Sequence, residues 1–180
     1  MTNLINLITL SRIFLAAIIL IILASNNSFK LALMLFFIAG ISDYLDGYLA
    51  RRYQSESIIG EILDPFADKV LIVFLFFGLS VTLSSYLIAI CASLIISREL
   101  WVSALRDFNS RNSNTSATKV TYIGKIKTSI QLLTITLYLV ALAFNKMLLI
   151  VVGDIFLVIS VLVTLYSGYE YTLNSFRKKI

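Results

Sequence analysis

The sequence has no histidine, one cysteine, one proline and only seven glycines in 180 residues. Each shortage closes a route. Without histidine there is no His-based triad, no His-ligated zinc and no imidazole general base. The single thiol, Cys91, can form neither a disulfide within the chain nor a cysteine metal cluster. Acid–base or metal chemistry must therefore rest on carboxylates, lysine, tyrosine or water. So little proline and glycine leaves no linker-rich or low-complexity stretch. No internal repeat is visible, and the length suits one domain over residues 1–180.

What the chain has in excess is apolar. The hydrophobic fraction is 59% and the mean hydropathy +0.92, against about 45–50% apolar in a soluble domain. The excess falls in six stretches, at 7–24, 31–50, 65–83, 86–104, 128–144 and 147–169. Each is near the length that crosses a bilayer, so an all-α integral membrane protein with six transmembrane helices is expected. The first stretch does not read as a signal peptide, because no basic residue precedes it and Arg12 lies inside it.

Charge tests this topology. With the N-terminus in the cytoplasm and six crossings, Lys30 and Lys146 fall on the far side. The other thirteen of the fifteen Lys and Arg fall on or near the cytoplasmic side. That is the bias of the positive-inside rule, and it puts both termini in the cytoplasm. An odd number of spans would place Arg177, Lys178 and Lys179 outside. Tyr166, Tyr169 and Tyr171 before that tail read as an interfacial anchor. The net charge is +5. Because the basic residues flank apolar spans, anionic headgroups or phosphorylated substrates are favoured as partners over nucleic acid.

Four of the ten acidic residues, Asp43, Asp46, Asp64 and Asp68, lie within twenty-six positions at the ends of apolar spans. Asp43 and Asp46 are three apart and share a helix face; Asp64 and Asp68 are four apart and share a face on the next helix. A short connection packs those helices antiparallel, so the two pairs meet near one membrane surface. Each aspartate costs about 2.5–3.5 kcal/mol at a span centre, and converging like charges add repulsion. Two Mg²⁺-like ions would cancel four negative charges, and the oxygen-only donor set suits hard cations. A capping role for Asp64 before Pro65, or a pairing of Asp68 with Lys69 or an arginine, would explain one or two of the acids but not four at these spacings. Gly47, Ala50 and Gly60 are small residues beside the acids, suited to close helix packing or to substrate access.

Asp43-Tyr-Leu-Asp46-Gly47-Tyr-Leu-Ala50-Arg51, then Gly60, Asp64 and Asp68, resembles the complete signature of the CDP-alcohol phosphatidyltransferase family. Eight fixed positions over twenty-six make it far more specific than a lone glycine motif. Three further segments resemble the phosphatidylglycerophosphate synthase branch: Asn6 to Arg12, Ser97 to Leu100, and Gly124 to Thr128. The branch often has proline before the asparagine, where this chain has Ile5.

The resemblance implies a six-helix membrane fold in the cell (inner) membrane, a homodimer, and a cavity open to the cytoplasm. It implies two Mg²⁺ or Mn²⁺ ions, with Asp43 and Asp64 bridging both, Asp46 on one and Asp68 on the other. Asp68 would also be the general base. Asn6, Gly47, Ala50, Arg51, Ser57 and Gly60 would bind CDP-diacylglycerol. Glycerol 3-phosphate as acceptor needs cations, and Arg98, Arg106, Lys125 and Lys127 are the candidates. The alternative for the basic residues is a purely topological role, and for Arg98 a local pair with Glu99. Rival acceptors are inositol phosphate, serine or phosphatidylglycerol. A rival of another class is a cation transporter, which would favour proline-broken helices; no proline is expected inside either acidic span.

Overall fold

A computed structural model describes residues 2–25, 28–53, 58–111 and 122–176. They form six helices: α1 Thr2–Ala24, α2 Phe29–Tyr53, α3 Ile58–Thr82, α4 Tyr86–Arg111, α5 Tyr122–Phe144 and α6 Met147–Phe176. Long runs of Leu, Ile, Phe and Ala take this form because a helix pairs its backbone polar groups within the segment itself. Two reversals are tight. Ser84 and Asn145 adopt positive φ, 47° and 53°. The following amides close back onto the preceding helices, Ser85 N–H to the Ser80 carbonyl at 3.0 Å and Lys146 N–H to the Ala141 carbonyl at 2.9 Å. These are left-handed helix caps, which asparagine tolerates better than branched residues do.

Several helices run past the apolar stretches read from the sequence, on the side of the acidic residues. The largest consequence is at α3. It begins at Ile58, six residues before Asp64, so Pro65 lies inside the helix. The expectation that no proline interrupts an acidic span is corrected here. Pro65 lacks an N–H and removes one helical hydrogen bond, in a turn where Asp64 is only half-buried.

α1 packs on α2 and α3, α4 on α3 and α6, and α5 on α2, α3 and α6. One face of α1 carries Thr9, Arg12, Ala16, Ile19 and Leu23, all fully buried. The lower part of this stripe joins the apolar core with Phe36 of α2, Leu75 and Leu79 of α3, Ile95 of α4, Leu139 of α5 and Leu157 of α6. The approach of α1 to α3 is close: a methyl group at Gly78 would come 2.9 Å from Leu23 Cδ1. The outward faces are also apolar, with Phe14, Phe37, Ile90, Leu148 and Leu162 exposed. Such surface belongs against lipid.

Among the described residues, five segments are long and apolar enough to cross a membrane: Asn6–Ala24, Leu63–Thr82, Tyr86–Arg111, Ile126–Phe144 and Met147–Phe176. α2 is not among them. Its C-terminal half carries Asp43, Asp46, Arg51 and Arg52.

Candidate active site

The polar end of the α1 stripe meets the acidic residues. Arg12 is fully buried, and its Nη1 lies 2.9 Å from Asp43 Oδ1 on α2 and 2.6 Å from Asp68 Oδ1 on α3. One nitrogen thus holds a carboxylate from each of the two acidic helices. One turn earlier, Thr9 Oγ1 donates to Asp64 Oδ1 at 2.8 Å. The direct antiparallel packing of α2 on α3 expected from their short connection is corrected here: among the described residues α2 and α3 do not pack on each other, and α1, which packs on both, brings their acidic residues together through Arg12. Of the four acids, Asp43, Asp64 and Asp68 are described in full; the Asp46 side chain lies outside the described residues.

These donors suit a hard divalent cation. All are oxygen, and the Asp43 and Asp68 side chains remain 54% exposed although their partner Arg12 is buried. A hydrated ion can reach them from that open side. Among the described residues no three acidic or cysteine side chains already stand as a closed ligand cage. The Arg12 guanidinium is instead bonded to both Asp43 and Asp68.

On the far side of Asp68 a cavity of about 500 Å³ opens between α3, α4 and α5, with Tyr171 of α6 in its wall. Its wall carries Asp68, Lys69, Arg98, Glu99, Arg106 and Lys127. Arg98 is buried, and α6 sets its course. Its Nη2 donates to Ser167 Oγ at 2.7 Å. Next to that serine, a methyl group at Gly168 would fall 2.8 Å from Arg98 Cγ. Arg98 Nη1 donates to Glu99 Oε1 at 2.8 Å, and Lys127 Nζ bonds the same oxygen. The Tyr171 ring lies against two guanidiniums, with Arg98 5.6 Å and Arg106 5.5 Å from its centroid. Lys69 Nζ donates to Ser103 Oγ, tying α3 to α4 across the cavity wall.

Three of the four candidate acceptor cations, Arg98, Arg106 and Lys127, therefore share a cavity with Asp68. The side chain of Lys125 lies outside the described residues, as do the surroundings of Gly47, Ala50 and Arg51 on α2, and Ser57 lies outside them altogether. Asn6 is half-buried near the start of α1, and Gly60 is buried in α3. Arg98 does pair with Glu99, but the pair is not merely local, because Lys127 joins it from α5. Sequence reasoning passed over Arg12, Thr9, Ser167 and Gly168 as site residues. For Arg12 a signal existed: a charge inside an apolar span is costly and marks function or pairing.

A family model for CDP-alcohol phosphatidyltransferase matches residues 2–166. A Rickettsia typhi protein named CDP-diacylglycerol–glycerol-3-phosphate 3-phosphatidyltransferase is 32% identical over 174 residues, 95% of this chain and 96% of its own length. An Escherichia coli K12 protein of the same name is 33% identical over 132 residues, 72% of each chain. A Haemophilus influenzae protein, again of that name, is 41% identical over 100 residues, 56% of this chain and 54% of its own. With nearly its whole length matched by one family model, this chain belongs to the CDP-alcohol phosphatidyltransferase family.

Proposed function

We propose that the protein transfers the phosphatidyl group of CDP-diacylglycerol to glycerol 3-phosphate, giving phosphatidylglycerophosphate and CMP. Its relatives carry that activity in their names. The observation that carries the reading within this molecule is the cavity joining Asp68 to Arg98, Arg106 and Lys127. Among the described side chains, four cations (Lys69, Arg98, Arg106 and Lys127) and two carboxylates (Asp68 and Glu99) line it, so cations predominate. A phosphate monoester carries about −1.5 to −2 at neutral pH, so the cavity suits a phosphorylated acceptor better than serine.

In the proposed reaction the acceptor hydroxyl oxygen attacks the lipid-side phosphorus of the diphosphate. A new phosphorus–oxygen bond forms, the bond to CMP breaks, and CMP leaves with the electron pair. Asp68 takes the hydroxyl proton. Arg98, Arg106 and Lys127, with Lys125, hold the acceptor phosphate and so aim its hydroxyl toward Asp68. Asn6, Gly47, Ala50, Arg51, Ser57 and Gly60 contact the CDP-lipid. Asp43, Asp46, Asp64 and Asp68 would hold two divalent cations, Mg²⁺ or Mn²⁺, which when bound offset charge on the diphosphate. The family is generally metal-dependent.

The rest of the assignment follows from the same reading: one domain, six spans including α2, both termini cytoplasmic, an active site facing the cytoplasm from the cell (inner) membrane, and a homodimer. The exposed Leu31, Met34, Phe37 and Ile41 along α2 support its crossing the bilayer. Cation transport, the rival of another class, gains only Pro65 within α3, and family membership weighs against it.

The experiment is CMP release from CDP-diacylglycerol by purified protein, with glycerol 3-phosphate, inositol phosphate, serine and phosphatidylglycerol in parallel. Release that depends on glycerol 3-phosphate is expected. Faster release with another acceptor would reassign the branch, and none with any acceptor would remove the enzyme reading.

A further inference from the structure

In the cavity wall, Glu99 is neither an acceptor cation nor a proposed metal ligand. It is nonetheless the point where two buried cations meet. Arg98 and Lys127 are each only 7% exposed. They come from different helices, α4 and α5, and both bond the one oxygen, Glu99 Oε1. Two desolvated cations repel each other strongly in a low-dielectric interior. A carboxylate between them offsets that repulsion and fixes where both nitrogens point.

The remaining anchors do not do this. Ser167 orients only the second amino group of Arg98. Arg106 is turned toward the Tyr171 hydroxyl at 3.4 Å. Among the described residues, Glu99 is the acid that bonds both Arg98 and Lys127.

Resting on the acceptor reading above, we propose that Glu99 is a positioning residue for the acceptor phosphate. It gathers Arg98 and Lys127 into a preset pair that a phosphate monoester engages without first bringing two like charges together. It also offsets part of the positive charge of the cavity wall. Glu99 itself touches neither the reacting hydroxyl nor the CDP-lipid. Its removal therefore acts on acceptor binding and leaves lipid binding alone.

The test is steady-state kinetics of Glu99→Gln and Glu99→Asp with both substrates varied. Inorganic phosphate serves as probe in a thermal-unfolding titration of the same detergent-purified proteins. Glu99→Gln keeps the size and loses the charge. It is expected to raise the acceptor KM by about tenfold or more, the usual scale for losing a charge-assisted hydrogen-bond partner. The CDP-diacylglycerol KM should stay within about twofold, and phosphate should protect against unfolding only at correspondingly higher concentration. Glu99→Asp, which keeps the charge on a shorter stem, should recover part of both losses; it also serves as the readout if Glu99→Gln does not fold. An unchanged or lowered acceptor KM, or both KM values rising together, overturns the proposal. The wild-type arm separates this from a failure of the acceptor reading. If wild-type protein shows neither glycerol 3-phosphate-dependent CMP release nor protection by phosphate, the acceptor reading itself fails.

Discussion

The first three helices and the last three solve opposite charge problems with the same device. At the acidic end one nitrogen of Arg12 is shared by carboxylates from α2 and α3. At the basic end one oxygen of Glu99 is shared by cations from α4 and α5. Among the described side chains the two places carry opposite majorities of charge. Of these side chains, Asp43 and Asp68 share one guanidinium while Asp64 accepts from Thr9, and four cations share the cavity wall with two carboxylates. Each region, among the described side chains, has one counter-charge that bridges two helices, Arg12 at the acidic end and Glu99 in the cavity. Asp68 belongs to both, bonded to Arg12 and lining the cavity.

If Asp68 joins the two regions, its charge should matter most. Asp68→Asn is expected to cut CMP release by a factor of about 10²–10⁴, the usual weight of a positioned general base, while the purified protein stays monodisperse. Near-normal turnover in that variant would take Asp68 out of the mechanism.

Arg12 should matter first for stability. Arg12→Gln leaves Asp43 and Asp68 without their shared cation. Their half-exposure limits the penalty, so a loss of about 1–3 kcal/mol is expected, at or below the low end for breaking a buried pair. Thermal unfolding in divalent-free buffer would reveal it, and added Mg²⁺ should restore part of the lost midpoint. An unchanged midpoint would mean that the acidic end needs no internal counter-charge.

The smallest effect on the reaction is expected at Gly168. A methyl group there presses on Arg98 near its backbone end, 2.8 Å from Cγ, so the whole side chain must shift. Gly168→Ala should cost about 1–3 kcal/mol of stability, as overpacking does, and should raise the acceptor KM by about threefold. If the acceptor KM stayed fixed, the course of Arg98 along α6 would not set the acceptor site.

The two regions were unequally legible in the sequence. The acids announced themselves because their spacing is local: three or four residues put two carboxylates on one face, although α1 rather than direct packing of α2 on α3 joins the two faces. The device that holds them did not. Arg12 and Asp68 are 56 positions apart, and nothing in an apolar run says which face an isolated arginine takes. Likewise Arg98 beside Glu99 reads as a neighbouring pair, whereas the partner that changes its meaning, Lys127, arrives from another helix 28 positions on. The six helices were visible from hydropathy, but not their polar extensions. α3 reaches back to Ile58 through residues that no longer look like a span, and it takes Pro65 into its interior.

The division of labour is tested most directly by the two KM values of Arg98→Gln. If the cavity binds the acceptor and the acidic end binds the CDP-lipid, the glycerol 3-phosphate KM should rise by about tenfold or more. The CDP-diacylglycerol KM should then stay within about twofold. A rise confined to the CDP-diacylglycerol KM would contradict the account, because Arg98 would then serve the lipid and the cavity would not be the acceptor site.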